Sequence, residues 1–259
     1  MSPAREWRAF TTAVQFLTRV PLPGGMNVPQ PDLTLLRACV IYFPLVGTLI
    51  GSITAGVITV SLAWWPILVA VLLGLIVEAL ATGAFHEDAV ADCCDGFGGG
   101  WTREDVLRIM KDSRIGSFAG VGLILALGLR IAGLMSCPQE LLVPVCVGSA
   151  GLGRWAILLL MWRIPPIANR DGLAKDIGQQ LTLREVVLGT LAALPAMLWL
   201  GWLDPWRLLA AILVVVVTVG VWGLIVVRRL GGITGDCLGA GCYFAQLGVL
   251  LVCCAGGRQ

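Results

Sequence analysis

Seven stretches of the chain, each near 20 residues long and almost free of charge, follow one another: 38–63, 66–85, 117–136, 141–162, 186–201, 207–227 and 237–254. A hydrocarbon core of about 30 Å needs about 20 apolar residues as helix. Inside it every backbone polar group must bond internally, which selects helices for such stretches. The fifth stretch is the shortest and the weakest. Composition agrees: apolar residues make up 58%, charged residues 13%, and mean hydropathy is +0.88. Soluble domains carry about 25% charged residues, so a chain this apolar relies on lipid to cover its surface. The expected fold is all-α, a polytopic transmembrane bundle of about seven spans, with residues 1–259 as a single integral membrane domain. A net charge of +2 gives no footprint for nucleic acid. Ser2 to Pro23 holds Arg5, Arg8 and Arg19 between short apolar runs and does not read as a cleavable signal peptide.

The links between stretches alternate in character. Trp64–Trp65, Cys137–Glu140 and Trp202–Trp206 are short, and the first and last are rich in Trp, like interfacial anchors. The others are long and polar. Arg5, Arg8, Arg19 and Arg37 precede the first span; Arg103, Arg108, Lys111 and Arg114 follow the second. Arg163, Arg170, Lys175 and Arg184 follow the fourth, and Arg228 and Arg229 the sixth. All of these fall on one side, against Arg207 and Arg258 on the other. By the positive-inside rule the first side is cytoplasmic. Arg130 and Arg154 lie within spans. Arg130 is expected near the outer surface, snorkelling. Glu78 and Arg154 are expected to face the bundle interior, paired with each other or lining a cavity. Gly47, Gly51 and Gly56 in the first span suit close approach of another helix. Cys39, Cys146, Cys242, Cys253 and Cys254 read as packing residues.

The loop 86–116 concentrates the acids. Asp88, Asp92 and Asp95 stand at i, i+4 and i+7, so a helix through them stacks three carboxylates on one face. Like charges so placed repel, and a hard divalent cation such as Mg²⁺, held by carboxylates together with substrate phosphate oxygens, offsets them. Gly96 and Gly98–Gly100 follow at once and allow close backbone approach. Lys111, Asp112 and Arg114 come just before the third span, with the point charge and the fork that phosphate binding uses. Ordinary anchoring explains the same cations. Thr102 with acids behind it reads as a helix N-cap. Asp236, in a glycine-rich turn at the start of the last span, reads either as a cap or as a group that faces a metal or a hydroxyl. His86, beside Glu87, is either a general base or a structural group at a helix start. Adjacent Cys93 and Cys94, with His86 the one histidine, match a zinc site poorly.

Five segments in order resemble the cobalamin synthase (adenosylcobinamide-GDP ribazoletransferase) family. They are Phe16-Leu-Thr-Arg-Val-Pro21, Thr82-Gly-Ala-Phe-His-Glu-Asp88, Ala91-Asp-Cys-Cys-Asp-Gly96, Met110-Lys-Asp-Ser-Arg-Ile-Gly116 and Gly231-Gly-Ile-Thr-Gly-Asp-Cys-Leu-Gly-Ala240. The resemblance implies transfer of the phosphocobinamide group of adenosylcobinamide-GDP to α-ribazole or its 5′-phosphate. The products are adenosylcobalamin or its 5′-phosphate, and GMP, in the last assembly step of cobalamin synthesis. It implies Mg²⁺ as cofactor and a multi-pass place in the inner membrane with the active site toward the cytoplasm. Protein partners, if any, are a second copy or other cobalamin-assembly enzymes. Carried over by position, His86, Asp88, Asp92 and Asp95 are the catalytic stretch. Asp88, Asp92 and Asp95 hold the metal, and one of them or His86 assists deprotonation of the nucleophile. Arg19, Lys111, Asp112, Arg114 and Asp236 are the substrate-binding group. One departure stands out: the family's Asp-Gly is Asp88-Ala89 here, harmless unless that backbone needs positive φ.

Two rivals frame the expectation. A CDP-alcohol phosphotransferase-like enzyme would also pair membrane helices with an acid cluster. Its Asp-Gly-x-x-Ala-Arg stretch is missing, since Phe97-Gly98-Gly99-Gly100 follows Asp95-Gly96. A transporter would hold its polar groups near mid-membrane on broken helices.

Overall fold

A computed structural model describes residues 3–22, 32–167 and 180–255. Arg170, Lys175 and Arg258 lie outside the described residues. The chain forms α1 (Pro3–Leu17), α2 (Leu33–Cys39), a single 3₁₀ turn, then α3 (Phe43–Ser61), α4 (Ile67–Thr82), α5 (Phe85–Gly99), α6 (Arg103–Ile109) and α7 (Ser117–Met135). They are followed by α8 (Gln139–Arg163), α9 (Leu183–Leu203), α10 (Pro205–Leu230) and α11 (Gly235–Cys254). There is no strand among the described residues. One isolated bridge, Pro166 with Ile233, ties the segment after α8 to the segment before α11. Six helices are long and apolar enough to cross a membrane, and a seventh span forms if α4 and α5 count as one broken span.

The bundle is organised around α8, which is buried along nearly its whole length and packs against α3, α9 and α11. Two glycines of α3 make the closest crossing. A Cβ at Gly47 would stand 2.5 Å from the Ala150 carbonyl oxygen, and one at Gly51 would stand 2.6 Å from that of Cys146. Small residues thus let the backbones meet, as the four-residue spacing suggests. Gly56 does not take part, since nothing lies near it. Cys39, Cys146, Cys242 and Cys253 are buried in the packing, while Cys254 is half-buried.

The second apolar stretch departs from a straight span. Helix α4 ends at Gly83, φ +70°, in the left-handed conformation that glycine adopts at helix C-termini. Ala84 follows with φ +56°, unusual for a residue with a Cβ. Two left-handed residues in succession turn the chain by 87° into α5. The acid segment is therefore a separate helix lying against α7 and α11, and the expected loop 86–116 is mostly helical. Thr102 caps α6, accepting from the Asp105 amide at 3.1 Å while Asp105 reaches back, so the cap expected there is present.

Candidate active site

A cleft of about 820 Å³ opens where the end of α1, the α4–α5 break, the acid face of α5 and the segment before α7 converge. Each wall has a local cause. The Arg19 amide donates to the Ala81 carbonyl at 2.7 Å, one of the oxygens left over at the end of α4. Its guanidinium lies against Gly83, where a Cβ would collide with it. The chain after α1 is thus laid across the break. Helical spacing then puts Asp88, Asp92 and Asp95 on the cleft face of α5, and the turn after α6 brings in Lys111, Asp112 and Arg114.

These groups are not equally available. Asp95 is already committed: its two carboxylate oxygens accept from the Gly116 amide at 2.6 Å and the Ala119 amide at 2.8 Å, capping the start of α7. Arg114 forks onto Asp112, with bonds of 2.6 and 3.0 Å. That guanidinium holds the exposed Asp112 carboxyl down to about 2. Arg19 and Lys111 are in no ion pair among the described residues and remain for an anionic ligand. Asp88 is exposed and Asp92 half-buried.

Two sequence candidates lie elsewhere. His86 is only 3% exposed, on the side of α5 away from the cleft, with its Nδ1 3.5 Å from an Arg154 Nη and its Nε2 without a partner among the described residues. Asp236 is half-buried in the first turn of α11 and does not line the cleft. The cap at that helix start is Thr234, whose hydroxyl accepts from the Cys237 amide at 3.2 Å.

The buried charges also pair differently from the sequence expectation. Arg130 does not snorkel. It is 6% exposed, with Nη2 2.6 Å from Glu78 and Nη1 3.4 Å from Glu87. Glu78 further accepts from Thr54 at 2.8 Å. Arg154 does not pair with Glu78. It donates to Gln246 at 2.8 Å and to the Ala150 carbonyl at 3.3 Å. The reason is register: Arg130 comes from α7, beside α4 and α5, whereas Arg154 faces α11 and the back of α5. Glu87, in the cleft wall, is the functional candidate that the sequence reading passed over, because only the fold shows which face of α5 it joins.

Among the described residues no three of His, Cys, Asp and Glu are gathered to hold a metal ion. Magnesium does not require such a cage; it is held by one or two carboxylates, waters and substrate phosphates. Asp88 and Asp92 are oxygen donors of that kind, one turn apart on one face. Ala89 proves compatible with its place: its backbone is helical, and it packs where a Cβ on Gly239 would stand 2.6 Å from its own Cβ.

The comparisons with known proteins agree with one another. The family model described as cobalamin-5-phosphate synthase matches residues 9–254. A protein of Ralstonia pickettii (strain 12J) called adenosylcobinamide-GDP ribazoletransferase is 36% identical over 255 residues, covering 96% of each chain. Another of that name, from Shewanella sp. (strain W3-18-1), is 37% identical over 265 residues, covering 97% of each. No solved structure matches the chain.

Proposed function

We infer the cleft's function from one premise: the chain belongs to the cobalamin-5-phosphate synthase family. It is a transferase that joins α-ribazole, or its 5′-phosphate, to adenosylcobinamide-GDP and releases GMP. A ribose hydroxyl oxygen forms a bond to the phosphorus attached to the corrinoid side chain. The bond from that phosphorus to the GMP oxygen breaks, and the hydroxyl proton is lost. Such a reaction asks for positioning and for neutralisation of the diphosphate. The carrying observation is that Asp88, Asp92, Arg19 and Lys111, far apart in sequence, line one cleft.

Arg19 and Lys111 bind the diphosphate oxygens. Arg114 joins them by leaving Asp112, its present partner. Asp88 and Asp92 hold Mg²⁺, which when bound offsets the charge of the diphosphate and of the departing GMP. Asp95 keeps α5 and α7 in register through the amides of Gly116 and Ala119 at the start of α7, and this supports a role in shaping the site beside any metal contact. His86, buried against Arg154, supports α5 from behind. The Lys and Arg bias of the polar links supports a site on the cytoplasmic side of the inner membrane.

The test is incubation of membranes containing the protein with adenosylcobinamide-GDP, α-ribazole and Mg²⁺, followed by assay of GMP. Release of GMP that depends on α-ribazole is expected. No release from well-inserted protein would sink the reading.

A further inference from the structure

Beside the α4–α5 break the cleft carries chemistry that diphosphate binding does not explain. The Glu87 carboxylate is there, with the rings of Phe16 and Phe85 set edge to face at 5.8 Å and Leu123 nearby. Glu87 would repel a phosphate, but it accepts a hydrogen bond from a hydroxyl. Two phenyl rings offer faces and edges to the flat base of a nucleoside.

What lies behind Glu87 is equally specific. A buried guanidinium is neutralised by one carboxylate, and Arg130 has that partner in Glu78 at 2.6 Å. Its second contact, to Glu87 at 3.4 Å, reaches a side chain still 17% exposed. No hydrogen bond among the described residues occupies the other Glu87 oxygen. Charges within a membrane domain are costly, and an apolar side chain fills the same space at less cost. Arg130 does something an apolar residue does not: it grips one Glu87 oxygen from behind and leaves the other to the cleft.

We propose that Glu87 positions the incoming nucleoside by accepting a hydrogen bond from its ribose hydroxyl, with the base against Phe16 and Phe85. Arg130, anchored by Glu78, is the positioning residue that holds Glu87. The proposal rests on the ribazole-transfer reading and adds a location for the nucleoside, at the end of the cleft away from Lys111 and Arg114.

The experiment uses the full chain in lipid nanodiscs, with two readouts: α-ribazole binding by calorimetry, and KM for each substrate from GMP release. Glu87→Gln should weaken α-ribazole binding and raise its KM by about tenfold. KM for adenosylcobinamide-GDP should stay within about twofold, a change of less than half a kcal/mol. Arg130→Lys should move the same KM by a smaller factor and add nothing in the Glu87→Gln background, because the two act as one unit. Unchanged α-ribazole binding in Glu87→Gln, an equal rise in both KM values, or additive effects would overturn the proposal. Glu87→Gln alone decides it should the Arg130 variant misfold. Wild-type protein that binds α-ribazole in a Glu87-dependent way yet releases no GMP would refute the reaction and keep the subsite. Wild-type protein that does neither would refute both.

Discussion

Helix α5 has charges on both of its sides, and the two sides treat charge differently. On the cleft side Asp88 is exposed, and Arg19 and Lys111 stand in no ion pair among the described residues. On the bundle side Glu78, Arg130, Arg154 and Gln246 are nearly sealed; Arg130 is matched by Glu78 at 2.6 Å, and Arg154 donates to Gln246 at 2.8 Å and to the Ala150 carbonyl at 3.3 Å. The same side-chain chemistry does two jobs. Where a charge is matched by protein it holds helices together; where it is left partly unmatched it can act on a ligand. Glu87 stands at the boundary, in the cleft wall and with one oxygen 3.4 Å from Arg130.

The comparison breaks first at Glu78. Replacing it with Ala leaves Arg130 buried with only its longer ion pair, to Glu87, and should destabilise the protein by about 3 kcal/mol, read as a fall in the thermal midpoint in detergent. Glu87→Gln, by contrast, should change that midpoint little; equal losses for both variants would erase the distinction between matched and unmatched acids. Asp92→Asn tests the other side. GMP release should drop by at least about 100-fold while insertion and thermal midpoint hold, and full activity would end the metal-site reading. Asp95→Ala is intermediate, because that carboxylate caps α7. A stability loss of about 1–2 kcal/mol accompanied by reduced turnover is expected. A purely catalytic loss would show that the cap contributes nothing.

The smallest effect concerns pH. Asp112 has its folded pKa lowered to about 2 by Arg114. A lowered carboxyl pKa means that the pair persists above that value and is lost only as pH falls through it. Between about pH 5 and 8, well above the ordinary carboxyl range, Asp112→Asn and wild type should therefore give activity profiles of the same shape. A limb present in wild type and missing from the variant would show that Asp112 titrates in the working range.

The family segments led to Arg19, Asp88, Asp92, Lys111 and Arg114, and the fold gathers all five in the cleft. They were legible because helical spacing on α5 and the chain order of motifs survive in one dimension. The bend was not. Gly83 announces a turn, but nothing about Ala84 announces a second left-handed residue. Asp95 shares the spacing of the other two acids, and spacing does not reveal that the amides of Gly116 and Ala119 also bond to it at the start of α7. Arg130 looked like a snorkelling residue because its position near the end of a span was all that could be read.

The sequence by itself determined the polytopic helical class, the rough places of the apolar stretches, the Lys and Arg asymmetry of the links and the acid face of α5, but not the break that leaves six full-length helices and one bent pair. Hydrophobicity, charge and helical period are local properties that each segment carries wherever it packs. Tertiary structure alone decided the partners: Glu78 with Arg130, Arg154 with Gln246, Asp95 with the start of α7, and Glu87 suspended between core and cleft. An ion pair depends on which helices are neighbours and in which register, and a difference of one helical turn, about 5.4 Å, exchanges one partner for another.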